Sequence, residues 1–155
     1  PRCWYGGCEG PFHSADAVRF SRYEVGDRID KIPDDAVTRS GDCQSAAGDF
    51  YCLFTLPDGV EYLVYQRWIA RKQMTLPSSH PLPFGIRGDE TQEGAADLVR
   101  NLIGVDAEIT VLQGGGALVS HEGTLGTLEN PMWLYFKFDE EGRLIEITWQ
   151  GPPTV

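Results

Sequence analysis

Histidine is scarce in this chain, with only His13, His80 and His121 among 155 residues. No His-x-x-x-His or His-Glu-x-x-His spacing is present, so a zinc site would have to assemble from distant loops. The four cysteines form no Cys-x-x-Cys pair, which removes the usual metal half-site. No Gly-x-Ser-x-Gly elbow surrounds any serine. The run Gly114-Gly115-Gly116 lacks the Lys-Ser/Thr of a phosphate-binding loop and precedes a strand pattern, so it reads as a hairpin tip. Asp139-Glu140-Glu141-Gly142 lacks the alternating oxygens of a calcium loop and reads as a turn. The sequence therefore predicts no metal, no cofactor and no catalytic residue. Positive charge is also sparse. Thirteen Lys and Arg face 23 Asp and Glu, a net charge of −10, which argues against nucleic acid and anionic membrane and favours a basic partner. No apolar run approaches the roughly 18–20 residues of a membrane span.

What is present is an ordinary globular composition, 41% apolar and 23% charged. Cys3, Cys8, Cys43 and Cys52 all fall in the first third. An even count without metal spacing reads as two disulfides in an oxidising compartment. Spacing suggests Cys3–Cys8 and Cys43–Cys52, although four cysteines allow three pairings and four reduced, buried thiols are the alternative. The first residue is Pro1, without a Met or an apolar leader, which reads as a mature periplasmic or secreted product with its signal peptide removed.

Periodicity predicts an α+β fold, mainly antiparallel β: a twisted sheet of hairpins with one clear helix over 89–103. Asp89 is the expected N-cap with Gln92 three residues on, Ala95, Leu98, Val99, Leu102 and Ile103 form one apolar face, and Gly104 stops the helix. Val18, Phe20, Tyr23 and Val25 suggest a strand within 15–25, and any helix over 28–32 must be short because Pro33 follows. The aromatic run 50–56, then Pro57-Asp58-Gly59, then alternation over 60–68 reads as a hairpin, with 67–74 continuing as an edge strand. Strands are expected at 107–112 and 117–121, and at 132–138 and 143–149 about the 139–142 turn. Three prolines, Pro77, Pro81 and Pro83, keep 76–84 from being a central strand or a helix.

The chain echoes itself. Gly26-Asp27 precedes the hairpin of 51–64, and Gly88-Asp89 precedes that of 133–147. This divides it into a disulfide-bearing β half, 1–84, and a helix-plus-hairpins half, 85–155, within one compact domain. The segment Leu76-Pro77-Ser78-Ser79-His80-Pro81-Leu82-Pro83 has a small polar tip between prolines, which lower the entropy lost on docking. A rigid loop carried on a sheet can enter an enzyme's groove. Ser78, Ser79 and His80 are thus candidate contacts, with Asp89, Glu90, Glu122 and Glu129 on the rim.

An exported, acidic, disulfide-bearing, mainly β layout with this Ser-Ser loop resembles periplasmic immunity proteins. Those guard bacteria against cell-wall-degrading toxins, including type VI secretion amidases. The tandem echo is also similar to β-lactamase inhibitor proteins, which are built from repeated units. The resemblance covers layout and loop and maps no motif residue by residue. It implies a protein that is not an enzyme, binding a basic peptidoglycan hydrolase, with Ser78 or Ser79 reaching a Cys-His dyad. Two other readings stand beside it. A carbohydrate- or peptidoglycan-binding module would expose a row of aromatics, such as Trp4, Trp68 and Trp133, although core packing is the default for aromatics on alternating strands. A small secreted hydrolase would use His80 or His121, or a carboxylate pair.

Overall fold

The computed structural model describes residues 3–4, 7–8, 21–44, 51–78, 82–123, 125–126 and 131–151; for 3–4, 7–8, 83, 125–126 and 131 it describes the backbone alone. The fold is α+β and mainly antiparallel β, as the periodicity predicts. A two-stranded ladder, β1 (Cys3–Trp4) and β2 (Gly7–Cys8), sets Cys3 opposite Cys8. Their side chains lie outside what the structure describes.

The main sheet begins with β3 (Thr38–Gly41), β4 (Tyr51–Thr55), β5 (Val60–Tyr65) and β6 (Trp68–Thr75). Helix α1 (Gln92–Ile103) then leads into β7 (Ala107–Val111), β8 (Ala117–His121), β9 (Leu125–Gly126), β10 (Pro131–Phe138) and β11 (Leu144–Gln150). The order across the sheet is β3-β4-β5-β6-β11-β10-β8-β7, with β9 pairing the start of β10. The first four strands and the last ones therefore meet at a seam between β6 and β11, where Glu146 to Gln150 pair with Thr75 to Arg71.

Strand alternation puts one set of side chains on the covered face. One cross-strand row runs Phe54, Tyr62, Lys72, Trp149, Leu134, and the next runs Val60, Met74, Ile147, Phe136, Val119. All ten are buried. Ala95, Ala96, Val99 and Leu102 of α1 close the core over the second half. Tyr23, Val25 and Ile29 close it over the first, with the Tyr23 ring edge-on to Tyr62 at 5.5 Å. Tyr62 also holds this covering segment by its hydroxyl, which donates to Ser21 Oγ, while Ser21 donates to the Asp58 carboxylate. Burial pushes the Tyr62 phenol up to about 12.

Several expectations need correction. Of the strand expected within 15–25, residues 15–20, with Val18 and Phe20, lie outside the described residues; the backbone at 21–25 is irregular, and Tyr23 and Val25 enter the core. Residues 28–32 form no helix. Arg28 bridges Trp68, and Gly26 N and Ile69 N donate to Ile69 O and Asp27 O, so this segment extends the sheet beside β6. The alternation over 60–68 is broken at Gln66-Arg67, both with positive φ, 50° and 72°. They form a two-residue hairpin turn without the usual Gly or Asn. The strand after it, β6, is central rather than an edge, because β11 pairs its other side. The helix begins at Gln92, not Asp89. Thr91 is the N-cap, its hydroxyl accepting from Gly94 N at 3.0 Å, whereas Asp89 pairs with Arg87. The Gly104 stop in the left-handed region is as expected, with φ 75°.

The β5–β6 and β10–β11 hairpins flank the seam, and the β4–β5 hairpin, whose sequence echoes β10–β11, reaches one strand farther out. The Gly114–Gly116 turn is a fitted element: a Cβ on Gly116 would lie 2.5 Å from the Phe138 carbonyl oxygen.

Candidate partner-binding site

The Pro-flanked segment leaves the sheet at the seam. Leu76 is buried, and its N–H donates to Ile145 O at 2.8 Å, extending the β6–β11 ladder by one bond. Pro77 then ends the ladder, since it has no N–H to give. The segment returns through a short kinked turn at Pro83–Gly85, where Phe84 takes a positive φ of 63°, with Phe84 and Ile86 buried. Glu90 fixes the return stem. Its two carboxylate oxygens accept from Arg87 N at 2.7 Å and Gly88 N at 2.8 Å. The described residues on both sides of 79–81 are thus tied to the core.

Beside the stems lies an open groove of about 460 Å³, lined by Leu76, Pro77, Asp89, Glu90, Arg143 and Leu144 among others. A second recess of about 520 Å³ shares Leu76, Pro77 and Asp89 and adds Ser78, Leu82 and Arg87. The far wall is the β10–β11 turn. There Asp139 accepts from Glu141 N, from Arg143 N and from the Arg143 guanidinium at 3.0, 2.9 and 3.0 Å. The Arg143 N–H bond leads the causes that hold the Asp139 carboxyl below the usual range. The Arg143 guanidinium reaches Glu141 as well.

The structure brings Ser78, Asp89 and Glu90 to this one surface. Ser78 is half-buried, Asp89 exposed and Glu90 half-buried. Ser79, His80 and Glu129 lie outside the described residues. Glu122 is exposed but distant in the fold. It follows the end of β8 that is farthest from Ala117, whose partner Phe138 leads into the 139–142 turn. It therefore belongs to the opposite end of the sheet. The Cys43–Cys52 disulfide is formed, with Cα atoms 5.3 Å apart and both residues buried. Among the described residues no group of three or more His, Cys, Asp or Glu is placed to hold a metal ion, and no helix is long and apolar enough to cross a membrane.

His121, a candidate base in the hydrolase reading, is committed elsewhere. Its Nε2 accepts from Leu134 N at 3.2 Å, and its Nδ1 lies 2.8 Å from Gly123 O, to which it donates. That pair of bonds requires the neutral ring. Burial is the leading cause that lowers its pKa from the ordinary 6.5. The unfolded chain then takes up a proton that the folded chain refuses. Stability from this site is full above the ordinary value and falls as pH drops through it. The urea midpoint of the wild-type protein should decline between pH 7.5 and 5 more steeply than that of His121→Gln. Parallel slopes would show that the ring is not held neutral.

Comparison with protein-family models, curated proteins and solved structures yields no match for this chain.

Two features escaped the sequence reading. The groove wall at Leu144 and Arg143 comes from far along the chain and carries no local signal. The hydrogen bonds of Glu90 to two backbone N–H groups make it a brace for the loop rather than a simple rim charge. An acid two residues after Gly88 was the available hint.

Proposed function

We propose that this protein is a periplasmic immunity protein. It binds and inhibits a basic cell-wall-degrading effector enzyme by inserting the loop 78–82 into its active-site groove. The observation that carries this reading is the double anchoring of the loop. Leu76 on one side, and Phe84, Ile86 and the Glu90 brace on the other, hold the stems, and anchored stems lower the entropy lost on insertion. Acidity adds to it. A net charge of −10, with Asp89 and Glu90 beside the loop, speeds encounter with a cationic enzyme at low salt. The Cys43–Cys52 disulfide fits an oxidising compartment.

The test is direct. The protein is used to capture its partner from periplasmic extract, the captured enzyme is identified by mass, and its activity on purified sacculi is titrated. Stoichiometric inhibition is expected. Ser79→Arg places bulk and charge at a buried contact and should raise the inhibition constant by at least about tenfold, since an unpaired buried charge costs several kcal/mol, with an unchanged unfolding midpoint. Retained inhibition in variants bulky at Ser78, Ser79 and His80 would refute loop insertion.

A further inference from the structure

The face of the sheet opposite the core carries a row of aromatic rings that the loop mechanism does not use. Tyr51 of β4 lies opposite Tyr65 of β5, and Tyr65 lies opposite Trp68 of β6. Beyond Trp68 the next position in the row is Arg28. Alternation explains the shared face: the neighbours Cys52, Val64 and Ile69 are buried in the core. Tyr51 is 66% exposed and Trp68 41% exposed, unusual for rings of this size. The Gln66-Arg67 turn sets Tyr65 opposite Trp68 in the ladder, and the disulfide at Cys52 anchors the residue next to Tyr51.

The charge around this row runs against that of the whole chain. Arg28 sits 5.8 Å from the Trp68 ring centroid. Arg28 and Arg67 share Asp30 at 3.5 and 3.9 Å, and Arg71 pairs with Glu61 at 3.4 Å. Three guanidinium groups thus face two carboxylates, in a protein of net charge −10. A row of aromatic side chains ending in a cation fits a ligand with apolar C–H faces and an anionic substituent.

We propose that the Tyr51–Tyr65–Trp68–Arg28 row binds a carboxylate-bearing glycan strand. Adjacent strands are about 4.8 Å apart, so the three rings span about 10 Å, comparable with a disaccharide. Sugar rings stack on the aromatic faces, and a sugar carboxylate meets Arg28. This site is separate from the loop and does not rest on the inhibitor reading.

The test uses two probes in titration calorimetry, a GlcNAc–MurNAc tetrasaccharide that carries carboxylates and neutral chitotetraose. The muramyl sugar should bind, and Trp68→Ala or Tyr51→Ala should weaken it at least tenfold without moving the unfolding midpoint. Arg28→Gln should weaken the muramyl sugar several-fold and leave chitotetraose unaffected. Ser79→Arg should bind the muramyl sugar as the wild type does, which separates failure of the loop from failure of this site. Absence of binding by the muramyl sugar at millimolar concentration overturns the proposal, as does equal binding by Trp68→Ala. Loss of enzyme capture in Trp68→Ala, with no sugar bound by the wild type, also overturns it and assigns the row to a protein contact.

Discussion

Replacing Trp149 by Ala should lower the unfolding free energy by about 3–5 kcal/mol, the range for removing a large aromatic from a packed core. Trp149 is fully buried on β11. Its position faces Lys72 across the seam on one side and Leu134 of β10 on the other. The ring therefore fills the core where the two groups of strands join. Tyr62 and Leu134, buried in the same row, are themselves held by strand pairing and cannot move in to refill the space. Most domains have only about 5–15 kcal/mol in total, so the loss is a large fraction of the whole. Urea denaturation followed by circular dichroism measures the loss, and Trp149→Phe should recover about half of it by restoring an aromatic. A loss below about 1 kcal/mol in Trp149→Ala would mean that the seam is not the centre of the packed core.

Removing the Cys43–Cys52 bridge should cost about 2–3 kcal/mol. The bridge closes a short loop, with a sequence separation of 9. Loop-closure entropy for a ring of that size gives about 2.5 kcal/mol. Both cysteines are nearly inaccessible and pack in the core cluster, so Cys43→Ala/Cys52→Ala also leaves a small void. Each single variant should lose nearly as much as the double, because either one breaks the bond. Reduction of the wild-type protein by dithiothreitol should approach the same midpoint. The loss should appear first around β3 and β4, where Gly41 pairs with Cys52 at the edge of the sheet. Hydrogen exchange of the β3 and β4 amides locates it. An unchanged urea midpoint in the double variant would contradict the entropic account.

Local signals were read well because the physics behind them is local. Pro57-Asp58-Gly59 turns the chain through short-range bonds: Asp58 Oδ1 accepts from Val60 N, and Gly59, with positive φ, donates to Leu56 O. The apolar face of 92–103 needs only helical period, and Gly104 needs only its missing Cβ. The Gln66-Arg67 turn was missed because its two residues carry side chains that rarely take positive φ. Surrounding ladder bonds hold them there: Ile29 N donates to Arg67 O, and Val64 pairs with Ile69. The N-cap was placed at Asp89 because an acid with Gln three residues later is a sound local pattern. Thr91 competes two residues on and prevails, while Glu90 turns its carboxylate back onto Arg87 N and Gly88 N.

The candidate surfaces divide in the same way. The prolines of 76–84 and the limit they set on backbone freedom are legible in the sequence itself. The groove beside it depends on Leu144 and Arg143 arriving across the seam, and the aromatic row depends on the register of three strands and a bridge.

By itself, then, the order of residues determined the secondary-structure class, the main hairpins, the helix and its stop, the acidity and the Cys43–Cys52 staple. Each of these is set by torsional preference, side-chain period or charge within a few residues. Only the tertiary structure decided that β6 is central, that the two groups of strands join at β6–β11, and which aromatics stay uncovered. Those outcomes rest on hydrogen bonds and packing between segments far apart in the chain, where a shift of one residue would exchange the buried and open faces.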